Sequence, residues 1–174
     1  LDRDGREEMI VVGPQLAVLI RFHPTYEEVD LLSDPFSGDR RGCRPGTVLP
    51  VDLDLDGLLD LAFGCQYEQI NDRYTLANNF VLRQHPDGSF VPMERQLPQL
   101  QDRDNTLAYG ALDVDHDGLL DILMINDTFS HPNRRNRRYR PGGFYRRCTP
   151  DEACHYDVSH FAEGLELYGS FMGV

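Results

Sequence analysis

Two short acidic segments contain the residues whose types and spacing are best suited to chemistry. Residues 52–60 read Asp-Leu-Asp-Leu-Asp-Gly-Leu-Leu-Asp, and residues 113–121 read Asp-Val-Asp-His-Asp-Gly-Leu-Leu-Asp. Both follow the pattern D-x-D-x-D-G-x-x-D, with carboxylates at positions 1, 3, 5 and 9. Carboxylates this close together raise one another's pKa values unless a cation lies between them. Calcium relieves the repulsion because it takes about 6–8 oxygen ligands, so the pattern predicts calcium-binding loops.

The ligands expected in each loop are the four carboxylates and one main-chain carbonyl, at position 7. The glycine at position 6 permits the turn around the ion. The first complete site is predicted to consist of Asp52, Asp54, Asp56, Asp60 and the Leu58 carbonyl. The second is predicted to consist of Asp113, Asp115, Asp117, Asp121 and the Leu119 carbonyl, with His116 pointing to solvent. Residues 2–8 match the pattern without its first position and predict a partial site from Asp2, Asp4, Glu8 and the Arg6 carbonyl.

Two other interpretations of these loops are an EF-hand and an acidic turn that holds no metal. An EF-hand needs a bidentate glutamate at position 12 and a helix on either side. Position 12 is Phe63 in one loop and Met124 in the other, and the flanking segments resemble β-strands, so an EF-hand is rejected. The remaining alternative is that the segments are acidic turns that hold no metal.

Most of the chain's excess negative charge lies in these acidic loops. The net charge of −12 arises from 29 acidic residues and 17 basic residues, all arginine. An acidic protein of this kind is not expected to bind nucleic acid. No apolar run approaches the roughly 20 residues of a membrane-spanning helix, so no membrane insertion is expected.

The segments that must position the loops have the pattern of short β-strands between Gly, Pro, Asn and Asp. We predict strands at 8–13, 16–21, 47–52, 60–64, 79–84, 89–93, 107–113, 120–125, 137–140 and 143–147. Asp87-Gly88 indicates a hairpin turn. The stretches 24–46 and 126–137 are predicted loops, and 161–167 is the one predicted helix.

This pattern predicts an all-β fold, a partial β-propeller of about three blades. The repeat units are approximately 1–51, 52–112 and 113–174, within a single propeller segment. Three units cannot close a propeller ring, so other segments or chains are expected to complete it.

The four cysteines and a cluster of arginines are further candidates. We expect the disulfides Cys43–Cys65 and Cys148–Cys154 and hence an oxidising compartment, with the other connectivities and free thiols left open. A zinc site formed by Cys148, Cys154 and two nearby histidines lacks the spacing of a standard finger. The arginines at 134–147 could hold an acidic glycan, although a solvated hairpin is favoured. No nucleophile–base motif is present, and no enzyme activity is expected.

The acidic loops, followed by Leu-Ala-Phe-Gly at 61–64 or Ile-Leu-Met-Ile-Asn at 122–126, resemble FG-GAP/VCBS repeats. Those repeats are the calcium-binding blades of integrin-α-type β-propellers. The segments 156–159, 162–165 and 169–174 resemble the linker that precedes a calcium loop in cartilage acidic protein-like (ASPIC/UnbV-type) proteins. The resemblance implies a propeller of about seven blades with structural calcium. It also implies extracellular or cell-surface placement and binding of a protein or glycan in adhesion. The alternatives are an accessory propeller or scaffold of a secreted carbohydrate- or lipid-acting enzyme, and a calcium buffer or sensor.

Overall fold

The described part of the chain is built from β-strands. The structure is a computed structural model that describes residues 7–13, 16–22, 25–32, 43–66, 68–70, 73–75, 78–93, 105–113, 116–126, 143–147 and 156–157. Within these ranges there are thirteen strands and no helix. The search for a helix long and apolar enough to cross a membrane, made over the same ranges, found none.

The strands form three antiparallel sheets and one small hairpin. The first sheet, β1-β2-β3, contains β1 (Glu8–Gly13), β2 (Leu16–Arg21) and β3 (Glu27–Asp30). The second, β4-β5-β8-β9, contains β4 (Arg44–Val51), β5 (Asp60–Gln66), β8 (Phe80–Gln84) and β9 (Phe90–Pro92). The third, β10-β11-β12-β13, contains β10 (Thr106–Leu112), β11 (Asp121–Asn126), β12 (Gly143–Arg147) and β13 (Tyr156–Asp157). The separate hairpin pairs β6 (Glu68–Ile70) with β7 (Arg73–Thr75). Open four-stranded meanders that repeat along the chain are blades, and the all-β partial propeller is confirmed.

The first and second sheets pack face to face through apolar side chains. Leu61 and Phe63, which alternate along β5, belong to one buried cluster with Ala17 and Leu19 of β2. Phe63 also stacks on Phe80 of β8, with ring centroids 4.6 Å apart. Because side chains alternate across a strand, β5 contributes only every second residue to this interface.

The second and third sheets pack in the same way through the other face of β5. Ala62 lies in a buried cluster with Ile122 and Met124 of β11. Ile122 and Met124 occupy the repeat positions of Leu61 and Phe63. The second and third sheets therefore present equivalent positions to the sheet before them, which is the stacking expected of successive blades.

Gly64 and a buried polar network bring β10 close to β5. A Cβ atom on Gly64 would lie 2.5 Å from Thr47 Cγ2 and 2.7 Å from Thr106 Cγ2. Asn79 Nδ2 donates to Thr106 Oγ1 at 2.8 Å, and Thr106 Oγ1 donates to Asn126 Oδ1 at 2.9 Å. These hydrogen bonds connect the second sheet to the third within the apolar core.

The predicted hairpin turn at Asp87-Gly88 is confirmed between β8 and β9. Gly88 has φ +81°, a left-handed conformation that favours glycine. The Ser89 hydroxyl and amide donate to Asp87 Oδ1 at 2.6 and 2.9 Å. These bonds hold the pKa of the Asp87 carboxyl below its usual value.

The structure departs from the sequence prediction at residues 24–46, at the β6–β7 hairpin and at the short strand β13. Residues 24–46 were predicted as a loop, but Glu27–Asp30 forms β3, which pairs with β2, and β4 already begins at Arg44. Only Val29 in β3 is apolar, so the strand shows no hydrophobic alternation that could identify it. The hairpin β6–β7 was also not predicted. The predicted strand 137–140 and helix 161–167 lie outside the described residues.

Candidate metal centre

The first acidic loop, residues 52–60, is the turn of the β4–β5 hairpin. The strands pair from Arg44 with Gln66 to Val51 with Asp60, so the loop closes the end of an eight-residue strand. The chain leaves β4 after Val51 and must enter β5 at Asp60, its pairing partner. This short connection forces the carboxylates at positions 1, 3 and 5 to the inside of one turn.

The second acidic loop, residues 113–121, joins β10 to β11 and has the same backbone conformation at its described positions 4 and 6. Apart from glycine, the described residues with positive φ are Leu55 and His116, both at 62° and both at position 4 of their loops. The glycines at position 6 have φ of 86° for Gly57 and 88° for Gly118. The described positions of the two loops thus share a backbone conformation, and His116 is exposed as predicted.

Equivalent hydrogen bonds hold the two loops. The amide of Gly57 donates to Asp52 Oδ2 at 2.9 Å, and that of Gly118 donates to Asp113 Oδ2 at 3.0 Å. The amides at position 7 donate to the carboxylates at position 5 in the pairs Leu58–Asp56 and Leu119–Asp117, each at 2.8 Å. Each loop therefore holds its carboxylates at positions 1 and 5 against its own backbone amides.

Asp52, Asp54 and Asp56 form a group that could hold a metal ion. One carboxylate oxygen from each lies within 4.8 Å of those from the other two. Carboxylate oxygens are hard ligands that suit a divalent cation such as calcium or magnesium. The donor set at positions 1, 3 and 5 therefore fits the predicted metal.

Asp60, at position 9, is buried beneath this group and is not one of its three members. Its Oδ2 accepts from the Leu53 amide at 3.1 Å, and its Oδ1 accepts from the Gln84 amide at 3.0 Å. Burial raises the pKa of Asp60 to about 6, with a further contribution from the charges of Asp54 and Asp56, while the two amides oppose the shift. Asp60 thus ties the loop to β8.

The shared loop geometry is accompanied by a match to a known repeat. Residues 52–124 match the FG-GAP-like repeat family. The match begins at the first acidic loop and extends through the second into β11. It supports the FG-GAP repeat family, whose repeats form β-propeller blades. No curated protein and no solved structure gives a significant match to this chain.

Arg83 of β8 lies against the first acidic loop. Its Nη2 is 2.6 Å from Asp54 Oδ2 and 3.4 Å from Asp56 Oδ2. A guanidinium therefore contacts two of the three carboxylates of the candidate metal group. Sequence reasoning missed this residue.

The predicted ligands of the second loop are described in part. Asp113 and Asp117 take the positions described above, and Asp121 is buried at the start of β11, as Asp60 is at the start of β5. Asp115 lies outside the described residues. The structure therefore brings three of the four predicted carboxylates to one loop end, in the conformation of the first loop.

The predicted partial site near the N-terminus is represented by Glu8. Glu8 lies in β1, and its Oε1 accepts from Arg21 Nε at 2.9 Å. Asp2, Asp4 and the Arg6 carbonyl lie outside the described residues.

The cysteine prediction is confirmed for one pair. A disulfide joins Cys43 to Cys65, at the end of the β4–β5 hairpin remote from the acidic loop. Cys148 and Cys154 lie outside the described residues, as does most of the arginine-rich segment at 134–147.

Proposed function

We propose that this chain is a calcium-binding β-propeller module that acts outside the cell by binding a protein or an acidic glycan. The observation that carries the proposal is the convergence of Asp52, Asp54 and Asp56 within 4.8 Å at the turn of a blade hairpin. The match to the FG-GAP-like repeat supports it, since such repeats are blades of propellers. We assign no catalysis to the chain, because the paired carboxylates that could act as acid and base are accounted for as ligands.

Calcium is the cation that the loops suit best. All the candidate side-chain ligands are carboxylates, and calcium accepts about 6–8 oxygens in irregular geometry, whereas magnesium requires near-octahedral geometry. The proposal includes two complete sites, at 52–60 and 113–121, and a partial site at 2–8. The main-chain carbonyls of Leu58 and Leu119 complete the oxygen donors available in the two loops.

The role proposed for calcium is structural. Each loop closes a hairpin whose strands supply the apolar interfaces between sheets, as Leu61 and Ala62 of β5 do. An ion that binds only the folded loop stabilises the protein by mass action, by about 2.7 kcal/mol at a calcium concentration 100 times Kd. Calcium would then keep the blades rigid while another surface contacts the partner.

The extracellular placement is supported by the Cys43–Cys65 disulfide, since disulfides persist in oxidising compartments. FG-GAP repeats are typically extracellular, which agrees with this placement. Recognition of a protein or glycan partner is the role that we propose for the propeller module. Binding to immobilised acidic glycans and to extracellular matrix proteins, with calcium or with EGTA, tests this part of the proposal, and failure to bind any of them would count against it.

The calcium proposal is tested by thermal unfolding with calcium and with excess EGTA, together with calorimetric titration to count ions. We expect two or three calcium ions per chain and a lower melting temperature in EGTA. Asp56→Asn should remove one ion. The matched control is Asp87→Asn, which removes the same charge from another Asp-Gly turn and should leave the ion count unchanged. A wild-type protein that binds no calcium, with equal melting temperatures in both conditions, would refute the proposal.

A further inference from the structure

Arg83 is held where its side chain can reach the acidic loop but can also leave it. Its neighbours Leu82 and Gln84 are buried, so β8 fixes the position of the Arg83 backbone. The Arg83 side chain is 44% exposed and contacts Asp54 and Asp56 through a single nitrogen, Nη2. The contact with Asp56 is exposed and 3.4 Å long, and exposed ion pairs are weak, so this part of the pairing can be exchanged at little cost.

We propose that Arg83 is an internal counter-ion of the 52–60 loop and competes with calcium for its carboxylates. This inference rests on the proposed calcium binding. Arg83 Nη2 contacts Asp54 Oδ2 and Asp56 Oδ2, oxygens of the same two carboxylates that would have to coordinate an ion. An arginine guanidinium carries a permanent positive charge and cannot withdraw it from the loop. Calcium must therefore either displace the side chain or bind beside a fixed positive charge.

The position of Arg83 is repeated in every described sheet. Leu82 pairs with Leu61, the residue after the last loop aspartate, and Arg83 follows Leu82. The corresponding pairs in the other two sheets are Ile20 with Met9, followed by Arg21, and Tyr145 with Ile122, followed by Arg146. Because the register is the same, each unit places an arginine opposite position 9 of its own acidic motif.

Arg21 shows that this position supports ion pairing to the motif in a second unit. Arg21 Nε donates to Glu8, the residue at position 9, at 2.9 Å. Its Nη2 also donates to the Gly88 carbonyl at 3.1 Å, in the β8–β9 turn of the next sheet. Arg21 is therefore held by two sheets. Arg83 contacts its loop with Nη2 alone, which makes Arg83 the one suited to exchange with an ion.

The test compares Arg83→Gln with Arg83→Lys and with a charge-matched control. Arg44→Gln removes the same charge at the opposite end of β4, roughly 20 Å along the strand from the loop. Calcium affinity is measured by calorimetry in a background carrying Asp117→Asn, so that the 52–60 loop dominates the titration. A positive charge about 5 Å from a divalent cation weakens binding by roughly tenfold in a high-dielectric site. We expect Arg83→Gln to bind calcium about tenfold more tightly, while Arg83→Lys and Arg44→Gln stay near the parent value.

A second readout is the stability of the same variants in EGTA. Arg83→Gln should melt at a lower temperature than the parent in EGTA, because Asp54 and Asp56 lose their counter-ion, and the difference should disappear at saturating calcium. Weaker calcium binding by Arg83→Gln would overturn the proposal and show that the guanidinium organises the ligands. Unchanged affinity would overturn it as well, by reducing the contact to a surface ion pair. If the parent protein binds no calcium, the proposed function fails first, and the competition proposed for Arg83 fails with it.

Discussion

Removal of the Cys43–Cys65 disulfide should destabilise the protein without weakening calcium binding. The bond joins residues 22 positions apart and closes the β4–β5 hairpin at the end opposite the 52–60 loop. The double substitution Cys43→Ala with Cys65→Ala is preferable to a reducing agent. A reductant would also act on any bond formed by Cys148 or Cys154.

The expected loss of stability follows from the length of the closed loop. A cross-link that closes about 22 residues restricts the unfolded chain by about 3 kcal/mol in the loop-entropy treatment. For a protein of 150–250 residues, each kcal/mol lowers the melting temperature by about 2–4 °C, so a decrease of roughly 10 °C is expected. Cys65 is fully buried, so alanine at this position also leaves a small cavity. The decrease of roughly 10 °C is therefore a lower bound.

The measurements are calorimetric unfolding and calcium titration of the wild type and the double variant. Because the eight residues of β4 separate the disulfide from the loop, calcium affinity should change by less than about twofold. A melting temperature within 2 °C of the wild-type value would show that the disulfide constrains little of the unfolded chain. A large loss of calcium affinity in a folded variant would show that the two ends of the hairpin are coupled, contrary to this reasoning.

Three further predictions concern the sheet interface, the loop backbone and pH. Gly64→Ala should lower the free energy of unfolding, measured by denaturant titration, by about 1–3 kcal/mol, because the new Cβ would lie 2.7 Å from Thr106 Cγ2. The control Gly110→Ala should be neutral, because its new Cβ would lie 3.8 Å from the nearest atom, Leu123 Cβ. His116→Asn should increase stability by about 0.5–1 kcal/mol because the short polar side chain of asparagine can hydrogen-bond locally at φ of 62°. His116→Ala has the same Cβ without that polar group and should show no such gain. The third prediction concerns Asp60, whose pKa is about 6 in the folded protein and 3.8 in the unfolded chain, so the folded state favours the protonated acid. In EGTA, the contribution of the protonated acid to stability is complete below pH 3.8 and is lost as the pH rises through about 6. The loss, relative to Asp60→Asn, should reach up to about 3 kcal/mol. Chemical denaturation between pH 4 and 7 measures this difference, and a flat profile would contradict it.

The acidic loops were predictable from sequence because all their determinants are local. The carboxylates at Asp52, Asp54 and Asp56 and the turn at Gly57 lie within six residues, so their spacing alone indicates one enclosed loop. Strands such as β5 were predictable for a similar reason, since short apolar runs between turn residues favour strands. The repeat then indicated that the strands belong to blades.

The features that sequence reasoning missed depend on pairing between distant segments. Arg83 reaches Asp56 across 27 positions, and Asn79 reaches Thr106 across the same number. Neither contact has a local pattern, because each exists only when the strand register and the packing of two sheets are known. A comparison of the three units could have found Arg83. An arginine directly follows Ile20, Leu82 and Tyr145, the residues that pair with the first residue after each acidic motif.

The open face of the first sheet follows from the same stacking rule that orders the other two. Met9 and Val11 occupy the repeat positions at which Leu61 and Phe63 are covered by the preceding sheet, and they are 49% and 36% exposed. An apolar face is costly to leave in water, at about 25 cal/mol for each Å². Because the interfaces between the described sheets are head-to-tail rather than self-complementary, the surface that matches this face has the character of the face that a preceding blade presents, as Ala17 and Leu19 do towards the second sheet. The geometry of two adjacent interfaces thus defines the shape and chemistry of the next one, which is the property that lets a single repeated hairpin build a propeller.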